Sequence, residues 1–221
     1  METCQCETRH TLKRIVLTGG PGAGKTAVLE LVRQHFCRHV RVLPEAAGVL
    51  FGGGFPRRTE PGASRAAQRA IFHVQTELEE AELAVDGSAV FLCDRGTLDG
   101  LAYWQGAPSE FWAGVRSSEA EQLSRYDVVI HLRTPPANGG YNNTNRLRTE
   151  TPEEAALIDE RIRQAWSGHP RRFTVESTES FLDKAMHAVE LIRGELPECC
   201  RGHLIPGLDS RHRRHSDAVT A

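Results

Sequence analysis

Lysine is nearly missing from this chain of 221 residues: of 27 basic side chains only Lys13, Lys25 and Lys184 are lysines, and the rest are arginines. Much of that bias is a bland matter of composition. It nonetheless singles out Lys25, a compact three-donor ammonium placed inside a glycine loop of an arginine-using chain. Long apolar runs are missing too. The longest, such as Ala89–Cys93, are strand-sized and far below the about 18 residues of a membrane span, so no integral membrane protein is expected. Met1–His10 is polar and holds no apolar signal core, which makes the cytoplasm the expected address. An excess of one charge is also absent. A formal net charge of −2 argues against a general nucleic-acid binder.

The six cysteines form no disulfide framework, and a chain of this length can bury about two-thirds or more of its surface without one. Cys37 and Cys93 sit among apolar neighbours and read as small buried hydrophobes. The pairs Cys4/Cys6 and Cys199/Cys200, the latter near His203, lack C-x2-C spacing and match no recognised zinc pattern.

What is present is alternation. Short apolar runs at Leu12–Thr18, Val40–Leu43, Ala89–Asp94, Asp127–Leu132 and Arg172–Glu176 predict five strands. Between them, helical periodicity covers Gly24–Arg38, Arg65–Val85, Thr151–Ser167 and Ser180–Arg193, with weaker stretches at Leu98–Trp104 and Glu110–Arg125. Thr151-Pro152-Glu153-Glu154 is a strong helix start, with a capping threonine, proline first and a glutamate that reaches back to the cap. Gly48–Ser64 and Arg133–Glu150 read as loops. Strands separated by helices predict a doubly wound, mainly parallel α/β sheet with helices on both faces. The expected division is a polar segment 1–11, one domain over 12–194 and a flexible Arg/His-containing tail over 195–221, so that a cut after Gly194 should leave the fold intact.

The chemistry concentrates in Gly19-Gly20-Pro21-Gly22-Ala23-Gly24-Lys25-Thr26, which fits G-x-x-x-x-G-K-[ST] between a predicted strand and a predicted helix. Backbone N–H groups must surround a polyphosphate closely, and side chains at the glycine positions would obstruct them. The following helix offers its unpaired N-terminal donors and positive dipole end to the same anion. Lys25 can reach the β- and γ-phosphate oxygens, and the Thr26 hydroxyl can bind Mg²⁺. Asp94, ending the third strand, is a second candidate for Mg²⁺, although a turn-forming aspartate also suits that position.

Other nucleotide signatures are excluded. G-x-G-x-x-G is absent, so the loop is no dinucleotide fingerprint. None of the three lysines follows an asparagine, so no N-K-x-D reads guanine. Arg95 and not glutamate follows Asp94, so the carboxylate that polarises attacking water in many mechanical ATPases is missing.

Taken together, GGPGAGKT, LPEAA after the second strand, HVQTE in the long helix, CDRG after the third strand and NRLRTET before the capped helix resemble the NadR-like family. This is an AAA-type, ATPase-like P-loop family that includes the ribosylnicotinamide kinase domain, and the same features are similar to nucleoside and nucleotide kinases. The likeness covers about Lys13–Arg193. It implies a P-loop NTPase fold, ATP and Mg²⁺ as cofactors, and phosphoryl transfer to a small hydroxyl-bearing, nucleoside-like acceptor. On the same resemblance Glu45 falls where nucleoside kinases keep a carboxylate near the acceptor hydroxyl, and Arg95 contacts phosphate or acceptor. Arg146 and Arg148, with Arg133, bracket a lid over about 133–151 that brings bidentate donors to the transferring group.

Blander readings stand beside these. Glu45 also suits a helix cap or a salt bridge, the loop arginines also suit plain solvation, and Gln75 can bind a base or simply lie on a surface. Arg57 and Arg58 are candidates for an acidic acceptor, while His73 and His131 read as structural or exposed. A different class of function also fits: a slow ATP- or GTP-hydrolysing switch that closes its lid on nucleotide and is read by a protein or membrane partner.

Overall fold

The computed structural model describes residues 6, 8–85, 87–136, 150–178, 180–202 and 205. Five strands, β1 (Lys13–Thr18), β2 (Val40–Leu43), β3 (Val90–Asp94), β4 (Val128–Leu132) and β5 (Arg172–Val175), form one sheet in the order β2-β3-β1-β4-β5. Every pairing is parallel, with Ile15 level with Leu92 on one side and with Val128 on the other. The predicted doubly wound α/β architecture of a P-loop NTPase is therefore the one observed.

Period-two alternation explains how the sheet buries both faces. Ile15, Leu17, Val90, Leu92, Val128 and Ile130 point to one side, where they meet Val28, Leu29 and Val32 of α1 (Lys25–His35). The same layer takes Ala185, Ala188, Val189 and Ile192 of α7 (Phe181–Glu195). Val16, Phe91, Cys93 and Val129 point to the other side, against Leu98, Ile162 and Trp166. Ile162 belongs to α6 (Pro152–Ala165), opened by the predicted box: Thr151 Oγ1 accepts from Glu154 N and Glu154 Oε2 accepts from Thr151 N at 2.8 Å. Each fully buried aliphatic side chain contributes about 1.5–3 kcal/mol. Phe72, Phe111 and Val115 make a smaller cluster between α3 (Pro61–Leu83) and α4 (Pro108–Val115).

Three boundaries differ from expectation. The stretch Gly48–Ser64, read as a loop for its glycines and prolines, overlaps a short helix α2 (Ala46–Gly52) and the first turn of α3. The glycines masked how far a helix beginning near Ala46 runs, through Leu50 and Phe51 to Gly52. Glu110–Arg125 is two helices, α4 and α5 (Glu119–Ser124), because the Ser118 side chain accepts from Glu121 N and starts a new one. The flexible tail from Glu195 is corrected for its first part. A further helix α8 (Glu198–Arg201) follows α7, and Leu196, Cys200 and Ile205 are buried in the β1 core layer. Among the described residues no helix is long and apolar enough to cross a membrane.

In this strand order the chain leaves β1, builds β2 and β3 on one side, then crosses to β4 on the other. A crevice opens at the carboxyl ends of the strands at such a reversal. The loop after β1 lies there.

Candidate functional site

The loop Gly19–Gly24 joins β1 to α1 and is shaped by backbone that only glycine adopts easily. Gly19, Gly22 and Gly24 have φ of 136°, 77° and 93°. A Cβ at Gly19 would lie 2.0 Å from the Leu132 carbonyl oxygen, and one at Gly20 would lie 2.4 Å from Thr134 Oγ1. The loop is thus wedged against the end of β4, with Thr134 Oγ1 donating to the Pro21 carbonyl at 3.1 Å.

Lys25, the first residue of α1, is buried, and its Nζ donates to the carbonyls of Gly19 (2.8 Å) and Gly20 (3.1 Å). Burial, reinforced by the Arg95 cation, brings its ammonium down to about 8 against the pull of Asp94, Glu45 and Asp99. Thr26 beside it is exposed.

At the end of β3, Arg95 sits in the left-handed region with φ 70°, an uncommon and strained backbone state for a non-glycine residue. Its guanidinium collects the site. Nε donates to Glu45 Oε1 at 2.7 Å, and Nη1 reaches both the Gly19 carbonyl at 3.2 Å and Asp99 Oδ1 at 3.3 Å. Glu45 occupies the N-cap position of α2 without capping through its side chain, so of the alternatives for this residue the salt bridge is the one formed. Burial raises its carboxyl, but Arg95 and Lys25 outweigh that and hold it below the usual carboxylate range.

Asp99 is a site residue that sequence reasoning missed. It lies in the 3-10 helix Thr97–Tyr103, is 3% exposed, and accepts from the Thr18 hydroxyl, Gly96 N (3.0 Å) and Trp166 Nε1 (3.0 Å) besides Arg95. It fixes the end of β1, the turn after β3 and α6 relative to one another. The only available signal was its position five residues after Asp94 in the CDRGTLDG segment.

Asp94 is different. Its Oδ1 is buried with no hydrogen-bond partner among the described residues. Burial lifts its carboxyl to about 6, with Glu45 and Asp99 adding to the rise and Lys25 and Arg95 opposing it. A bare buried carboxylate oxygen needs a proton or a cation to offset its desolvation. The residues therefore fit Mg²⁺ at the expected place: a hard carboxylate and the exposed Thr26 hydroxyl are the donor types it takes.

Asp159 of α6 was also missed. Its Oδ1 accepts from Gly20 N at 2.8 Å and lies 2.9 Å from His131 Nε2, while Oδ2 pairs with Arg133 at 2.9 Å. Burial raises its carboxyl, but His131, Gly20 and Arg133 together hold it below the ordinary value. His131 is structural, as expected, and Arg133 is tied to Asp159 and Glu160. Lys184 of α7 closes the opposite flank, its Nζ donating to the carbonyls of Ala23 (2.9 Å) and Arg133. Carboxylate and ammonium from two helices thus brace the loop from outside.

The remaining expected residues divide between the site and its surroundings. Gln75 is buried and donates to Glu79 Oε1 at 2.9 Å, inside a network with Arg125 and Tyr126 that locks α3 to the neighbouring turns. Arg57 pairs with Glu150 at 3.4 Å, lies over the Phe51 ring, and its cation helps hold the Glu45 carboxyl below its usual range. Arg146 and Arg148, and most of the lid expected over 133–151, lie outside the described residues.

A parallel sheet with a glycine loop at its reversal, a lysine and hydroxyl opening the next helix and a carboxylate ending β3 define the P-loop class of nucleotide-binding proteins. A family model described as an AAA domain matches residues 14–184, and the chain belongs to that family. It carries a P-loop nucleotide-binding domain. No curated protein matches the chain.

Proposed function

We propose that the protein is a Mg²⁺-dependent phosphotransferase that moves the γ-phosphate of ATP to a hydroxyl of a small, nucleoside-like acceptor. The observation that carries this reading is the Glu45–Arg95 pair. It sets a carboxylate beside Lys25 and Asp94 while no carboxylate follows Asp94 to activate water. The resemblance to nucleoside kinases supports the same assignment.

In this reading the Lys25 ammonium exchanges the carbonyls of Gly19 and Gly20 for β- and γ-phosphate oxygens, and the loop amides with the α1 N-terminus hold the remaining charge. Thr26 and Asp94 would hold Mg²⁺, which when bound supplies neutralisation of the phosphate charge. Arg95 engages Glu45 Oε1 and leaves Oε2 to the acceptor. As the acceptor oxygen bonds to the γ-phosphorus, the bond to the β,γ-bridging oxygen breaks, ADP leaves with that electron pair, and the acceptor proton passes to Glu45. A carboxylate held in its ionised form is a weak base. That suffices for a loose transition state in which alignment and charge neutralisation do most of the work.

The test is ADP formation from Mg·ATP with and without nucleosides, sugars and cofactor precursors. Acceptor-stimulated turnover with a phosphorylated product is the expected result. Slow hydrolysis that no small acceptor stimulates, together with nucleotide-dependent capture of a protein or membrane partner, would replace this reading with the switch.

A further inference from the structure

At the far end of α1 from the phosphate loop, two segments distant in sequence converge through sulfur and imidazole. Cys37 follows α1, His39 precedes β2, and Cys200 lies on α8. Cys37 Sγ is 3.3 Å from Cys200 Sγ and 3.6 Å from His39 Nδ1, and His39 Nδ1 is 3.2 Å from Cys200 Sγ. His39 and Cys200 are buried and Cys37 is half-buried. A second trio, Cys6, His10 and Cys199, lies alongside: His10 Nε2 is 3.4 Å from both sulfurs, Cys199 Sγ is 3.6 Å from Cys200 Sγ, and the rings of His10 and His39 meet edge to face at 5.1 Å.

We propose that Cys37, His39 and Cys200 bind a zinc ion that staples the C-terminal segment to the α1–β2 corner, with water in the fourth position.

Bond lengths favour this over simple packing. Zn–S of about 2.3 Å and Zn–N of about 2.0–2.1 Å in a tetrahedron place neighbouring donors about 3.5–3.8 Å apart. The observed separations of 3.2–3.6 Å approach those edges. They are far beyond the about 2.05 Å of a covalent S–S bond. Thiols are weak hydrogen-bond partners, so convergence of these heteroatoms gains little by itself. Two thiolates and one neutral imidazole suit a borderline-soft cation, and each coordinating thiol releases its proton to solvent.

The surroundings hold the ligands in place. The His39 carbonyl accepts from Ala89 N (2.8 Å) and Val90 N (2.9 Å), which pins its backbone to β3. Arg38 Nη2 donates to the Cys6 carbonyl at 3.2 Å, drawing the outer trio onto the same corner. A cleft of about 480 Å³ lined by Cys6, His10, Arg38 and His39 gives the ion a route in. Neither trio has a contiguous zinc spacing, because each is assembled from opposite ends of the chain.

The test uses the full-length protein, purified reduced and supplied with Zn²⁺ alone, with metal content measured by elemental mass spectrometry. About one zinc per chain is expected, with removal by a chelator lowering the thermal midpoint by about 5 °C or more. Cys37→Ser combined with Cys200→Ser should lose the metal. Should that variant fail to fold, titration with Co²⁺ of a Cys6→Ser, Cys199→Ser variant, which removes the outer trio, decides: thiolate-to-cobalt charge transfer and tetrahedral d–d bands must persist there if Cys37, His39 and Cys200 hold the ion, and their loss overturns the proposal. A wild-type protein that binds neither ion, or one whose mass shows Cys37 joined to Cys200 as a disulfide, overturns the proposal.

Discussion

Arg95 Nε donates to Glu45 Oε1 across 2.7 Å, tying the residue after β3 to the second residue after β2. The pair spans the edge of the crevice, and the strained backbone at Arg95 is what turns its guanidinium back over the loop. On the proposed phosphotransfer reading, changing Glu45 should separate binding from chemistry.

Glu45→Gln should leave the affinity for Mg·ATP within a few-fold and cut acceptor turnover by about a hundredfold or more. Calorimetry gives the first quantity and coupled ADP release the second. A variant that turns over acceptor at the wild-type rate removes Glu45 from the chemistry.

Lys25→Ala deletes the buried ammonium that now sits on two loop carbonyls. Loss of one charge-assisted contact to phosphate should weaken ATP binding by about tenfold to a hundredfold. Unchanged affinity in a calorimetric titration would contradict its role in the loop.

Asp99→Ala leaves the donors of Thr18, Gly96, Trp166 and Arg95 without their shared acceptor. About 3 kcal/mol or more of stability should go, because buried donors then keep their desolvation cost. Urea denaturation measures it.

Deleting residues 195–221 removes Cys200 and Ile205 from the core layer, along with the Glu195 pairs to Lys13 and Arg171. At about 1.5–3 kcal/mol for a buried aliphatic residue, the truncated chain should be at least about 3 kcal/mol less stable. A thermal midpoint equal to that of the full chain would show that this segment contributes nothing.

Burial, with Arg133 beside it, lowers the Lys184 ammonium from 10.5 to about 8, against Asp159 and Glu176. Between those two values the unfolded chain holds a proton that the folded chain has released, so this group adds stability as pH rises through the window. Denaturation midpoints from about pH 8 to 10.5 should therefore show the wild type gaining on Lys184→Met. Comparing the two proteins cancels buried groups titrating the other way, such as Tyr126 and Cys93. A difference that is flat or falls with pH would contradict the shift.

The β1–loop–α1 unit was legible because it is local: an apolar run, glycines and a helical stripe specify it without distant partners. The five strands were legible for the same reason, since both-face burial leaves continuous apolar runs. Asp99 and Asp159 were not, because a lone carboxylate in a helical stretch looks solvated until its partners are known. Those partners, Thr18 and Trp166 for one, Gly20 and His131 for the other, come from elements far away in the chain. The extent of α2 was hidden by Gly48 and Gly52, whose local cost tertiary packing of Ala46 overrides. α8 was hidden by its four-residue length, too short for any period to show.

The scarcity of lysine has a practical outcome. Lys25 and Lys184 are 8% and 3% exposed, and Lys13, half-exposed, is held by Glu195. Among lysine side chains, an acylating reagent therefore meets only one accessible amine on the native molecule. The labelling of the other two becomes a chemical clock: the Lys25 mark reports how often the phosphate loop opens, and the Lys184 mark how often α7 parts from it.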